Sequence, residues 1–389
     1  MPARAEAEDG SAHRAQVRLL LDRRIADLER LLAVEPSAVD AGPLKLRLCQ
    51  YHARRADDAR LTLAGAEVGE VVGIDAAALQ AEVQADRAAA LGLLGQLIDG
   101  PEPLEPGPRR DAALRLAATL RLASGDVAGG RLRLEQILTE HPAPDDPLAG
   151  WAARRAGELL LEGGDVGTCP EIERRCGAGA RANPSDLRAL RCLAAGRACL
   201  GKHREAAEAW HQMLAAAHRV GSPITRDASR GLASSLEALR RKDRDRFLAR
   251  VLAPELGGYV YLPLGRRLAA AGQHAEAFEL FKRATAQGLT PGDRQHAAWL
   301  GVDTAIRGHL GDALASDALT RAGRLCTEPS AVEVPPEAQS RAEQLVHGAQ
   351  ASRTAGKPWS RAIEDQLFVT CLQCFPEGPL AEQVRYRQA

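Results

Sequence analysis

The chain has 389 residues, and its 51 basic and 51 acidic side chains give a formal net charge of zero. A neutral chain has no long-range field that favours nucleic acid or an anionic membrane, so we expect neither as a partner. Only 3% of the residues are aromatic. The apolar content is mostly alanine and leucine, which favour helices over strands. These proportions predict an all-α protein.

Residues 1–13 are rich in alanine and acidic side chains and lack the basic-then-apolar order of a signal peptide. We expect this segment to be disordered. No apolar stretch approaches the roughly 20 residues that span a bilayer. The eight cysteines are scattered through helical segments, which fits reduced thiols better than a disulfide framework. Together these features predict a cytoplasmic protein.

The first hundred residues contain three amphipathic patterns, over 16–34, 44–63 and 75–98. Residues 14–99 are therefore either a separate helical subdomain or diverged copies of a repeat. The Pro- and Gly-rich stretch that follows, residues 100–111, is the clearest break in the chain. We predict a linker and a subdomain boundary there.

A pair of helices recurs after this break. In the clearest copy a turn at Gly201 precedes a helix in which Ala206 and Trp210 lie one turn apart. A second copy has its turn at Gly272, with Ala277, Phe281 and a closing Pro291 at matching places; a third, around Gly125, ends at Pro142. Weaker copies centre on Gly164, on Lys242 and Asp243, and on Gly308.

These copies resemble tetratricopeptide repeats, which place an alanine four residues before a large apolar residue and a proline after the second helix. The resemblance implies an α-α superhelix of antiparallel helix hairpins, with a period of about 34 residues. We assign the array to residues 112–327 and predict that 328–389 form C-terminal capping helices.

In tetratricopeptide arrays the first helix of each hairpin lines the concave groove, and the resemblance implies the same here. Aligning the copies places Arg115, Arg154 and Arg191 at one equivalent position in three successive first helices. The other groove candidates are Thr119, Arg155, Glu158, Arg188, Tyr259, Arg266, Gln295, Trp299 and Asp303.

A row of guanidinium groups can hold carboxylates through paired hydrogen bonds, so we hypothesise that an acidic segment of a partner binds along the groove. The alternative is that these arginines are ordinary solvated surface, because arginine is abundant throughout the chain. The sequence therefore predicts another protein or a peptide as the partner.

Catalytic motifs are weak. Residues 196–203 match a phosphate-binding loop except that His203 replaces the hydroxyl residue that would bind Mg²⁺. Cys371 and Cys374 have the spacing of a zinc or redox pair, but no second pair accompanies them, and packing is the simpler interpretation. The basic stretch 240–246 contains interleaved aspartates and is interpreted as a solvated loop. We expect no enzyme activity, cofactor or metal.

The sequence thus favours a non-catalytic scaffold or adaptor that holds a partner protein or peptide in its groove. Two alternatives stay open: a regulator that responds to a peptide signal, and a helical enzyme or subunit of an enzyme complex.

Overall fold

The protein is all-helical. A computed structural model describes residues 2–34, 41–68, 74–287, 290–327, 335–354 and 359–388. Within these ranges the chain forms eighteen α-helices and two short 3₁₀ turns, and no strand. Consecutive helices pack against one another in hairpins, which confirms the predicted all-α helical-repeat class. None of the helices in these ranges is long and apolar enough to cross a membrane.

The chain divides into two compact units. Unit 1 comprises residues 1–160 and 178–183, and unit 2 comprises 161–177 and 184–389. We had predicted a boundary at 100–111, so the observed division lies further along the chain. The start of the predicted capping segment, residues 328–334, lies outside the described residues.

Unit 1 is built on six helices and a shared seventh. Helix α1 starts at Pro2, so it includes the segment 2–13 that we expected to be disordered. Leu94, Leu114 and Leu134 are fully buried at the centre of the unit. The helices are α1 (Pro2–Val34), α2 (Ala41–Glu67), α3 (Ala76–Asp99), α4 (Pro108–Ala123), α5 (Val127–Glu140), α6 (Pro147–Glu162) and α7 (Cys169–Ala182), whose residues divide between the two units.

The Pro-rich stretch is a packed connection between α3 and α4. The backbone N–H of Leu104 donates to the carbonyl of Leu97 at 2.8 Å. Arg110, in the first turn of α4, donates to the carbonyl of Leu104 at 3.3 Å and pairs with Glu140 at 2.8 Å. One apolar core continues from Ile98 across the connection into α4. The Pro-rich stretch is therefore a packed turn within unit 1, where we predicted a linker between subdomains.

A buried polar cluster ties the first three helices together. Asp86 on α3 is only 2% exposed. Its carboxylate lies 2.7 Å from the His52 ring and accepts two hydrogen bonds from Arg55, at 2.6 and 2.7 Å. The guanidinium of Arg55 also reaches Asp22 on α1 at 2.6 Å. Because a buried carboxylate is costly without partners, this cluster restricts how α1, α2 and α3 can align.

Unit 2 continues the hairpins. The first helices α8, α10, α12, α14 and α16 contact one another in succession. Helices α9 and α13 each pack against two of them, and α15 packs against α14 and α17. The helices are α8 (Leu187–Cys199), α9 (His203–Arg219), α10 (Thr225–Glu237), α11 (Arg241–Arg250), α12 (Gly257–Ala270), α13 (His274–Gln287), α14 (Pro291–Arg307), α15 (Asp312–Thr327), α16 (Pro336–Thr354), α17 (Arg361–Cys374) and α18 (Pro379–Gln388).

Most predicted turns are present, and one is not. Gly125, Gly164, Gly201 and Gly272 all have positive φ, the left-handed conformation that ends a helix. Gly308 caps α14 and opens the turn to α15, as predicted, whereas residues 242–243 lie inside α11. The turn interpretation of Gly201 therefore replaces the phosphate-loop match, since 196–203 span the end of α8, this turn and the start of α9.

The basic stretch 240–246 is largely helical, not a solvated loop. Arg244 on α11 is 2% exposed and forms a hydrogen-bonded ion pair with Glu276 of α13. Within the predicted capping segment, α18 has Leu380 and Val384 buried one turn apart.

Glycines recur at one equivalent position of successive first helices. Gly196, Gly231, Gly265 and Gly301 lie in successive first helices at intervals of about 35 residues, close to the tetratricopeptide period. A Cβ at Gly231 would lie 2.4 Å from the Trp210 ring, and one at Gly265 would lie 2.8 Å from the Phe281 ring. At Gly301 the nearest atom would be 3.7 Å away, which is ordinary contact. The same position is therefore crowded in one hairpin and roomy in another.

Six of the eight cysteines form disulfides, which corrects our expectation of reduced thiols. The pairs are Cys169 with Cys199, Cys176 with Cys192, and Cys326 with Cys374. Cys374 is thus bonded to α15 and does not pair with its neighbour Cys371. The two free thiols, Cys49 and Cys371, are buried, and burial raises the pKa of each to about 12.

The two glycines around Phe281 should respond oppositely to alanine. Gly265→Ala forces Phe281 to shift inside a packed core, so we expect it to lower the free energy of unfolding by about 1–2 kcal/mol. Gly301→Ala gains helix propensity without a clash and should be neutral or stabilising by up to about 1 kcal/mol. Urea unfolding followed by circular dichroism compares them. Equal effects from the two substitutions would contradict the close approach at Gly265.

Candidate functional site

A cleft of about 880 Å³ opens in unit 2. Its walls come from the first helices α12, α14 and α16 and from the start of α13. The cleft residues are Arg266, Ala269, Ala270, His274, Phe281, His296, Leu300, Asp303, Thr304, Arg307, Pro336, Glu337, Ser340, Arg341 and Gln344. Arginines, acids and apolar side chains therefore share one concave surface.

Helical spacing brings these side chains to one face. On α14, His296, Leu300, Asp303 and Arg307 follow one another by three or four residues, so they point the same way. The helix starts at Thr290, whose side chain accepts a hydrogen bond from the N–H of Asp293, with Pro291 in its first turn. This cap fixes where the face begins.

Helix α16 presents a matching face. Glu337, Arg341 and Gln344 are spaced by four and three residues, and Arg341 donates to Gln344 at 2.9 Å. Small side chains on α12, Ala269 and Ala270, leave the space between the helices open.

Asp303 is shared between two arginines at the centre of the cleft. Its carboxylate pairs with Arg307 at 2.6 Å on the same helix and with Arg341 of α16 at 3.4 Å. The Asp303 side chain is 12% exposed, so these pairs are shielded from water better than surface pairs. Asp303 thereby holds Arg341 across the cleft.

Arg266 has a different environment. Its guanidinium donates to the His296 ring, at 2.9 Å to Nε2, and it has no carboxylate partner within the part of the chain that the structure describes. Burial, and then the charges of Arg266 and Arg341, lower the pKa of His296 to about 4. The imidazole is therefore neutral near pH 7 and can accept this hydrogen bond.

The charge near Arg266 is locally unbalanced. Partial desolvation in the cleft wall, and then the positive charge of Arg341, lower the pKa of Arg266, although the residue keeps an exposed surface. Three arginines line the cleft against two carboxylates, and one of those, Asp303, is already shared. The cleft can therefore receive an anionic group between α12 and α16.

Only some of the groove candidates from the later repeats lie in the cleft. Arg266 and Asp303 lie in the cleft, as described. Trp299 is completely buried in the core, where its ring lies 5.9 Å from that of Phe375. Gln295 is 1% exposed and donates to the carbonyl of Leu325. Tyr259 lies away from the cleft, 5.4 Å from the His218 ring. Trp299 and Gln295 are thus packing residues, because their face of α14 turns inward.

The arginine row also needs correction. Arg154 is buried and paired with Glu158, which also accepts from Arg155 at 2.8 Å. Arg115 is exposed and lies 5.1 Å over the Trp151 ring, with Thr119 donating to its carbonyl. Arg188 and Arg191 on α8 are exposed and belong to unit 2, whereas the others belong to unit 1. Equivalent positions in the repeat therefore have unequal surroundings.

Sequence reasoning missed His296, Arg307, Glu337 and Arg341. The repeated spacing on α14 and α16 was visible, but the stretch before α16 breaks the repeat pattern, so α16 was assigned to a cap and not to the groove. Within the described residues, no group of three or more His, Cys, Asp or Glu side chains could hold a metal ion.

The chain matches no protein-family model, and no curated protein matches it. The tetratricopeptide resemblance therefore stays a prediction that rests on the repeat pattern.

His296 should make the protein acid-sensitive. Its ring faces Arg266 of α12, Arg341 and Glu337 of α16, and Asp293 of its own helix. The unfolded chain takes up this proton near pH 6.5 and the folded chain only near pH 4, so stability falls as pH drops through that window. His296→Gln should remove about 2 kcal/mol of this loss, measured by urea unfolding at several pH values.

The control is His347→Gln, which alters an exposed histidine outside the cleft. If both variants keep the wild-type pH dependence, the folded-state pKa of His296 is not depressed.

Proposed function

We propose that the protein is a non-catalytic scaffold or adaptor of tetratricopeptide type, and that it holds an acidic segment of a partner protein in the cleft of unit 2. The observation that carries the proposal is Arg266, a guanidinium in the cleft that has no carboxylate partner among the described residues. Such a group gains paired, charge-assisted hydrogen bonds when a carboxylate arrives.

Two features support a peptide as the occupant. The cleft combines Arg266 and Arg341 with the apolar side chains of Phe281 and Leu300, so a segment with acidic and apolar residues complements it. First helices of successive hairpins supply the walls, which is the surface that tetratricopeptide proteins use for extended peptides and partner helices.

His296 prepares the cleft for this ligand. By accepting a hydrogen bond from Arg266 it orients the guanidinium without neutralising it, and so less ordering is needed when a carboxylate binds. A carboxylate in place of His296 would instead compete with the ligand for the same donors.

The absence of enzyme activity and the cytoplasmic location remain parts of this proposal. Location now has a direct test, because three disulfides are typical of oxidising compartments. Fractionation of the native cell with thiol trapping would show whether the six cysteines are oxidised where the protein resides.

Removing two of the three cleft arginines should sharply reduce the preference for acidic ligands. The probes are short fluorescent peptides that alternate glutamate with leucine, and matched peptides with glutamine in place of glutamate. We expect the acidic peptides to bind more tightly, and Arg266→Gln with Arg341→Gln to weaken them by about tenfold or more. Fluorescence anisotropy at low and high salt measures both, and salt should reduce the difference.

The matched control is Arg188→Gln with Arg191→Gln, which removes two exposed charges from α8. It should leave acidic-peptide binding unchanged. Equal loss in both double variants would assign the binding to general charge and not to the cleft.

A further inference from the structure

Two disulfides join α7 to α8: an outer one, Cys169–Cys199, and an inner one, Cys176–Cys192. Cys169 and Cys176 are seven residues apart on α7, and Cys192 and Cys199 are seven apart on α8, so each pair lies on one face of its helix. The helices run in opposite directions, with Cα–Cα distances of 5.8 Å for Cys169–Cys199 and 5.6 Å for Cys176–Cys192. All four cysteines belong to unit 2.

Close packing between the helices explains this proximity. A Cβ at Gly196 of α8 would lie 3.0 Å from the backbone nitrogen of Glu173 on α7 and 2.9 Å from the Ile172 side chain. Only glycine allows the two backbones to approach this closely midway between the two disulfides.

The two disulfides differ in their exposure to solvent. Cys176 and Cys192 are both 2% exposed or less, so the inner disulfide is shielded from solvent. In the outer disulfide Cys169 is 1% exposed, whereas Cys199 is exposed. The solvent-facing side of the outer disulfide is therefore the Cys199 side.

The two cysteines of the outer disulfide lie at opposite kinds of helix end. Cys169 is the first residue of α7 and Cys199 is the last residue of α8. Burial opposes thiolate formation at Cys169, whereas the N-terminus of α7 favours it; Cys199, at the C-terminus of α8, gains no such stabilisation. Access and the two helix ends thus favour the same direction of attack, because disulfide exchange is fastest when the departing thiolate is stabilised.

The third disulfide lacks this arrangement. Cys326 and Cys374 lie at the C-terminal ends of α15 and α17, so neither thiolate gains from a helix N-terminus. The neighbouring thiol of Cys371 is buried, which raises its pKa to about 12 and prevents it from acting as an internal attacking group.

We propose that the Cys169–Cys199 bond is a thiol–disulfide exchange site for a dithiol reductant, and that Cys176–Cys192 is a protected structural bond. One thiolate of the reductant attacks Cys199 Sγ, forms a mixed disulfide and releases Cys169 as a thiolate. The second thiolate of the reductant then attacks the reductant sulfur of the mixed disulfide and releases Cys199 as a thiolate. Two electrons pass to the protein, and the reductant becomes a disulfide.

The test uses the oxidised wild-type protein, so it does not depend on a variant that folds. The folded protein is treated with dithiothreitol for increasing times and quenched with one alkylating reagent. Full reduction in denaturant and a second, isotopically heavier reagent follow. Peptide mass spectrometry should show Cys169 and Cys199 labelled together, at least about tenfold faster than the other four bonded cysteines. Circular dichroism should show that the helices persist.

A second measurement tests the direction of attack. With glutathione, a monothiol, the mixed disulfide should accumulate on Cys199 and not on Cys169. Three results would overturn the proposal: glutathione on Cys169, similar rates for all three pairs, or alkylation of Cys169 and Cys199 before any reductant is added.

Discussion

Close contact between small residues on one helix and large side chains on the next is the constraint on which the structure depends. The chain has few aromatic residues, and several of them are placed against glycines: Trp210 over Gly231, and Phe281 against Gly265. Removing a side chain at the contact lets the helix axes approach, so a modest apolar area is buried at high packing density. A chain that is rich in alanine can form a stable array in this way, because each helix needs only its neighbours.

The same kind of contact positions the cleft and the four cysteines of α7 and α8. Phe281 lies between the glycines of α12 and α14 and also lines the cleft, so the packing that joins these helices sets the depth of the cleft. At Gly196 the close approach of α8 to α7 brings four cysteines within bonding distance. The cleft and the cysteine pairing therefore depend on backbone spacing first and on side-chain identity second.

Much of the helical pattern could be predicted because it is local. The turns at Gly201 and Gly272, the amphipathic spacing of α9 and α13, and the all-α class follow from neighbouring residues. The site could be predicted only in part, because it depends on contacts between residues far apart in sequence. Arg266 and Asp303 were among the candidates, but Arg341 lies 38 residues beyond Asp303, after a segment where the repeat pattern fails. Trp299 shows the opposite error: its helical position was correct, and the face on which it lies was not.

The cysteines show why composition alone misjudged the chemistry. Cys169 and Cys176 on α7, and Cys192 and Cys199 on α8, are each seven residues apart and so share one helix face. The expectation of reduced thiols counted the eight cysteines without comparing these two spacings. In an antiparallel hairpin, equal spacing on both helices places the residues opposite one another in pairs, so matched spacing is itself a signal of pairing. Arg266 also differs from the solvated arginines in the group on the opposite helix. His296 accepts a hydrogen bond from its guanidinium but does not neutralise its charge, so the charge stays available to a ligand.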